Sequence, residues 1–184
     1  MPLPVTEVER ELTHTRRVRY EGYKRADGLW DIEAHLTDVK NHDYRLKTGV
    51  RRAGQAIHEM WLRVTIDRGL VIRDAAASSD AVPYPGGCET IAPAYKSLVG
   101  LSLIKDFRRK TRELLGGVQG CTHLTEMLAG LPTAAIQTFA GETSEEREDG
   151  SRPFQLDQCH ALETSSQTVK QWYPKWYRDK KQAT

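Results

Sequence analysis

Two stretches of alternating apolar and polar residues constrain the fold of this chain more than any other feature. In residues 29–39 the positions of one face are Trp30, Ile32, Ala34 and Leu36. In residues 56–67 the positions of one face are His58, Met60, Leu62, Val64 and Ile66. A period of two is typical of strands with one buried face. Together with segments 17–25 and 70–77, they predict four strands, and their closeness along the chain favours antiparallel pairing.

The pattern becomes helical after a loop rich in Ser, Pro and Gly at residues 78–87. Apolar residues recur at helical spacing in 88–100, 102–115 and 121–141. Pro132 predicts a kink in the last of these, because proline lacks a backbone donor. The prediction is an α+β fold, with an antiparallel sheet of about four strands in the N-terminal half and three to four helices packed on one face.

The length of 184 residues is that of one domain, so we expect residues 1–184 to form a single domain. The segment 142–153 is charged and poor in apolar residues, which predicts a mobile linker. Residues 172–184 form an aromatic and basic tail that could dock a partner.

Charge and hydropathy exclude several classes of function. The net charge of +2 is too small to predict a nucleic-acid-binding protein. The sequence has no run of about 18 apolar residues, so no membrane span is predicted. The N-terminus lacks the apolar core of a signal peptide. We therefore expect a cytoplasmic protein whose partner is a small molecule or a metal, with a homo-oligomer left open. Three cysteines are an odd number, which argues against a disulfide framework.

Two of these cysteines stand where a predicted helix begins. Cys88 follows Gly86-Gly87 and Cys121 follows Gly120. A thiolate is stabilised at the positive end of a helix dipole, so each cysteine could be reactive or bind a metal. Alternatively, Cys121 has a purely structural role as a small buried residue, since free cysteine is often buried.

Histidines and a glutamate could complete a site with these cysteines. His58 lies on the inward face of its predicted strand, Glu59 follows it, and His123 stands two residues after Cys121. The leading hypothesis is a metal site of His58, Cys88, Cys121 and His123, with Glu59 as an oxygen alternative. Cysteine and histidine ligands favour zinc or iron, including an iron–sulfur cluster.

Two other functions stay open on the same residues. A small-molecule enzyme of the lyase or hydrolase type would use His58 and Glu59 for acid–base chemistry and Cys121 as a nucleophile. A non-catalytic assembly protein would keep its cysteines inert and bind through its tail. The polar residues at 31, 33 and 35 have a simpler explanation as the exposed face of a half-buried strand, and the pair Cys159-His160 as structural residues.

Three segments, "RADGLWDIEAHLTDVK", "AIHEMWLRVTID" and "GCTHLTEMLAGLPTAAIQT", resemble an uncharacterised bacterial family that is catalogued only as a domain of unknown function. The resemblance covers roughly residues 12–140. It implies membership of that family and brings no activity with it.

A second resemblance is more distant and carries chemistry. The run from Met60 to Leu103, in which two strands lead through a glycine-preceded cysteine into a helix, is similar to the NifU/IscU-like iron–sulfur scaffold fold. That resemblance implies ligand roles for Cys88 and Cys121, with Glu59 near the position of the family's aspartate. The chain lacks the family's first cysteine near residues 56–59, so the resemblance implies a fold and a site location rather than a scaffold activity.

Overall fold

The computed structural model describes residues 3–140 and 151–179, and it confirms the α+β fold. Four strands form one antiparallel sheet in the order β1-β2-β5-β6. They are β1 (His14–Lys24), β2 (Trp30–Lys40), β5 (Ala56–Ile66) and β6 (Ile72–Ala81). A small separate hairpin consists of β3 (Tyr44–Leu46) and β4 (Gly49–Arg51). Sequence analysis missed this hairpin because it lies in the polar, basic segment 40–55, and it assigned the end of β6 to a loop.

The alternating residues of β2 and β5 form the centre of the core. Pairing between the two strands sets their apolar side chains opposite one another on one face. The pairs are Trp30 with Ile66, Ile32 with Val64, Ala34 with Leu62, and Leu36 with Met60. All eight are at most 2% exposed. Burying a large apolar side chain contributes about 1.5–3 kcal/mol, so this face fixes the register of the sheet.

Helices cover the same face. They are a 3₁₀ helix (Glu89–Leu98), α1 (Phe107–Leu115), α2 (Thr122–Leu128) and α3 (Leu131–Phe139). The predicted helix 88–100 is a 3₁₀ helix with Pro93 inside it, and helix 121–141 is two helices rather than one kinked helix. Pro132 lies in the first turn of α3, where a missing donor costs little. Gly130 lies between α2 and α3, beside the ring of Tyr20.

Contacts within the chain group into two compact units, residues 1–138 and 139–184. In the described part of the second unit, α4 (Gln167–Trp172) is capped by the Ser166 hydroxyl, which accepts from the Val169 amide. Residues 142–150 of the predicted mobile linker and residues 180–184 of the predicted tail lie outside the described residues. No helix among the described residues has the length and apolar character needed to cross a bilayer.

Candidate metal centre

The polar residues of the candidate site continue the rows of the apolar core. One step beyond the Leu36–Met60 pair, Asp38 of β2 pairs with His58 of β5 and, on the other side, with Arg16 of β1. Side chains alternate along a strand, so these three share the inner face. At this end of the strands the core therefore gives way to a row of charged and titratable groups.

Asp38 is the centre of this row. Its side chain is only 4% exposed. One carboxylate oxygen, Oδ1, lies 2.9 Å from His14 Nε2 and accepts from Arg16 Nε at 2.8 Å. The other, Oδ2, accepts from Arg16 Nη2 at 2.8 Å and lies 3.0 Å from His58 Nδ1. Burial alone would raise the pKa of Asp38, but the charge and hydrogen bonds of Arg16, with help from His14 and His58, lower it to about 2.

A third histidine reaches this carboxylate from α2. His123 stands in the first turn of that helix, and its Nε2 lies 3.8 Å from Asp38 Oδ2. Its ring stacks on His58, with 3.8 Å between centroids and 30° between planes. Burial lowers the pKa of His58, His123 lowers it further, and Asp38 opposes both. His58 therefore favours the neutral form, which is the form that binds metals.

A buried tyrosine fixes the start of α2. The Tyr95 hydroxyl accepts from the backbone amide of Cys121 at 3.1 Å and lies 2.8 Å from Thr125 Oγ1. Tyr95 itself is fully buried in the 3₁₀ helix Glu89–Leu98. The position of His123 over the sheet is thus set by a hydrogen bond that does not involve the site.

The ligand atoms of Asp38, His58 and His123 all lie within 4.8 Å of one another. Zinc binds histidine nitrogen and carboxylate oxygen at about 2.0–2.2 Å, which puts neighbouring ligand atoms about 2.9–3.4 Å apart in tetrahedral or octahedral geometry. The separations from Asp38 Oδ2 are 3.0 Å to His58 and 3.8 Å to His123. The third separation, between the ligand nitrogens of His58 and His123, is at most 4.8 Å. Two histidines with one carboxylate are a ligand set used by iron(II) and zinc.

Cys121 touches the other side of the His123 ring. Its thiol sulfur lies 3.9 Å from His123 Nδ1 and 3.9 Å from Met60 Sδ. Burial raises the pKa of this thiol, but His123 and the backbone amides of His123 and Leu124 outweigh burial, and the net pKa is lowered. The thiol therefore lies at the ring nitrogen that faces away from Asp38.

Glu59 and the other two cysteines lie in three different surroundings. Cys88, half-buried, lines the same cavity but is outside the group of three ligand atoms. Glu59 points to the opposite face of the sheet, because consecutive strand residues alternate, and there it meets His35 at 3.1 Å. The structure therefore does not bring Glu59 together with Asp38, His58 and His123. Cys159 is exposed, in the second unit.

The site opens into a cavity of about 520 Å³. The β3–β4 hairpin and the loop that follows β6 both contribute to its wall. They are tied together where the Thr48 hydroxyl donates to the Pro83 carbonyl at 2.7 Å and Arg51 Nη2 donates to the Val82 carbonyl at 3.2 Å. A volume of this size is typical of sites for small molecules.

Sequence analysis missed Asp38, Arg16 and His14. The alternation of β2 carries two residues past Leu36 to Asp38, and that of β1 carries two residues back from Val18 to Arg16. Extending the period by one step would have put both side chains on the inner face. The residues at 31, 33 and 35 face the other way, in local pairs such as Glu33 with Arg63.

Comparison with known proteins gives a family and no activity. Residues 14–137 match the model of the family described as protein of unknown function (DUF2889). No curated protein and no solved structure matches the chain, so the resemblance to the NifU/IscU-like fold finds no support. The matched segment holds every residue of the candidate centre and covers well over half of the chain. The chain therefore belongs to the DUF2889 family of proteins of unknown function.

Proposed function

We propose that this chain binds one divalent transition-metal ion, zinc or iron(II), through Asp38, His58 and His123. The observation that carries the proposal is the convergence of one carboxylate oxygen and two imidazole nitrogens within 4.8 Å. The histidine side chains are 16% and 23% exposed, so the ion would be shielded yet reachable from the cavity. These nitrogen and oxygen donors favour a mononuclear ion over an iron–sulfur cluster, which needs thiolates.

Neighbouring residues would hold the ligands in place. His14 Nε2 and Arg16 Nε contact Asp38 Oδ1, and Oδ2, which also accepts from Arg16 Nη2, faces both histidines. Cys121 stands at His123 Nδ1, so this thiol would orient the ring while Nε2 binds the ion. Partners of this kind fix the orientation of a metal ligand and tune its basicity. In this assignment Cys121 is a supporting residue rather than the ligand that its sequence context suggests.

Three protein ligands leave at least one coordination position open. Catalytic zinc and non-haem iron sites share this feature, whereas structural zinc sites have four protein ligands. The open position would face the cavity of about 520 Å³. The function supported best is therefore a metal centre that acts on, or binds, a small molecule.

Metal binding should be measured on protein stripped with a chelator and then titrated with zinc or, without oxygen, with iron(II). We expect about one ion per chain for the wild type and at least a hundredfold weaker binding in His58→Ala and His123→Ala, since each loses one of three ligands. Cys88→Ala and Cys159→Ala are matched controls that should keep the ion. Far-ultraviolet circular dichroism of each metal-free variant checks its fold. Unchanged affinity in both folded histidine variants would refute the proposal.

The other arm of this experiment favours a second candidate. If the folded protein takes no metal, the same residues would form a thiolate–imidazole pair, with Cys121 as nucleophile and His123 as its base. The lowered pKa of Cys121 supports this candidate. The assembly role and a homo-oligomer stay predictions of the sequence.

A further inference from the structure

We infer that the cavity at this centre takes a small molecule with one carboxylate group and an apolar body. The inference rests on the proposed function, because the metal ion would lie beside the carboxylate. Three observations carry it: a lysine without an acidic partner in the cavity wall, an apolar wall around it, and aromatic rings at its rim.

Lys40 supplies the charge. It stands two residues beyond Asp38 on β2, pairs with His14 across to β1, and lines the cavity while half-buried. Its Nζ lies 5.6 Å from the centroid of the Tyr44 ring. Within residues 3–140 and 151–179 no carboxylate forms an ion pair with it. Arg16, the other cation of the wall, is already shared between Asp38 and Glu126.

A cation of this kind is available to a ligand. Lys40 and Arg16 are the cations of the wall and Asp38 is its one carboxylate, and a bound divalent ion would add further positive charge. An anionic ligand would be drawn to such a cavity by its field. Phosphate groups are usually held by several arginines or by a set of backbone amides. A single lysine without an acidic partner, in the wall of a cavity that would also hold a metal ion, fits a monoanion, of which a carboxylate is the common form.

The remaining wall is apolar. Ile57 and Met60 contribute buried side chains, 6% and 1% exposed, near the metal ligands. Leu46 and Pro83 line the cavity further out, on the hairpin and on the loop after β6. Tyr84 contributes a ring that is 55% exposed. Apolar walls with a few placed polar groups are typical of small-molecule sites, in which the polar groups set the orientation.

Exposed aromatic rings at a cavity mouth have an accessible apolar face for a ligand. Tyr44 is 38% exposed and Tyr84 is 55% exposed, and both lie on the cavity wall. Together with Lys40 they define the expected ligand: its carboxylate lies toward Lys40 and the metal ion, and its apolar body lies against the rings.

The test uses zinc-loaded full-length protein and three probes titrated by calorimetry. The probes are 3-phenylpropanoate, 3-phenylpropan-1-ol with the same body and no charge, and acetate with the charge and no body. We expect 3-phenylpropanoate to bind at least tenfold tighter than either of the others. Lys40→Gln should weaken 3-phenylpropanoate about tenfold, Lys40→Arg should restore most of the affinity, and zinc binding should be unchanged in both.

Two controls make the result specific. Lys105→Gln removes an exposed lysine that does not line the cavity and should have no effect. Tyr84→Ala should weaken 3-phenylpropanoate but not acetate. Equal binding of the acid and the alcohol, or no change in Lys40→Gln, would overturn the inference and leave the metal proposal standing. Tighter binding of phenyl phosphate would overturn the choice of a carboxylate. A folded protein that binds neither zinc nor iron(II) would overturn the metal proposal and this inference with it.

Discussion

The metal-free protein should lose stability in acid through Asp38. Arg16, His14 and His58 lower the pKa of this carboxyl from its ordinary value of 3.8 to about 2 despite burial. A lowered pKa means that the folded state holds the proton less tightly than the unfolded state. The stabilisation is therefore complete above about pH 5 and is lost as the pH falls toward 2. Linkage gives a loss of about 1 kcal/mol by pH 3 and about 2 kcal/mol by pH 2.

Urea denaturation between pH 6 and pH 3, with chelator present, measures this loss. Other carboxyl groups also titrate in this range, so the comparison is with Asp38→Asn, whose side chain carries no titratable proton. The variant should be less stable than the wild type at pH 6, because an amide oxygen cannot replace a carboxylate that faces Arg16. The difference in free energy of unfolding should shrink by about 1 kcal/mol at pH 3. A difference that stays constant over this range would show that Asp38 is not held ionised by its partners.

Two further predictions concern Gly130 and Cys121, which flank the two ends of α2. Gly130→Ala would set its methyl group 2.4 Å from the Tyr20 ring, so urea denaturation should show a loss of about 1–3 kcal/mol, typical of an overpacked contact; a change below 0.5 kcal/mol would contradict the close approach. In metal-free protein near neutral pH, iodoacetamide should label Cys121 faster than Cys88 and Cys159, because the pKa of Cys121 is lowered by His123 and the helix amides. Mass spectrometry of digested protein follows the three rates, and equal rates would count against a thiolate.

The sheet could be predicted because its signal is local. Burial of one face imposes a period of two on β2 and β5, and that period is legible in Trp30 to Leu36 without knowledge of any neighbour. The type of a helix, α or 3₁₀, is harder to predict from the sequence. Residues 89–98 carry apolar residues at spacings that suit an α-helix, yet Pro93 and the packing against β6 produce a 3₁₀ helix.

Only some residues of the candidate site could be predicted from local sequence patterns. His58 could be found because it extends the apolar face of its strand, and His123 because it stands at the start of a helix. Asp38 resembles any polar residue near the end of a strand. Its burial depends on Arg16 in β1 and on His123 in α2, and neither partner is close to it in the sequence. Long-range pairs of this kind determine which polar side chain becomes the centre of a site.

The three proposed ligands lie in separate elements, and this has a kinetic consequence. Asp38 and His58 come together as soon as β2 and β5 pair, since only 20 residues separate them. His123 arrives only when α2 is seated, and its seat is the buried Tyr95 hydroxyl. Closing the longer loop costs chain entropy. The free energy of metal binding can offset this cost only after α2 is in place. The rate of zinc binding during refolding would then report the docking of α2. The ion would link the sheet to the helix in the last step of folding.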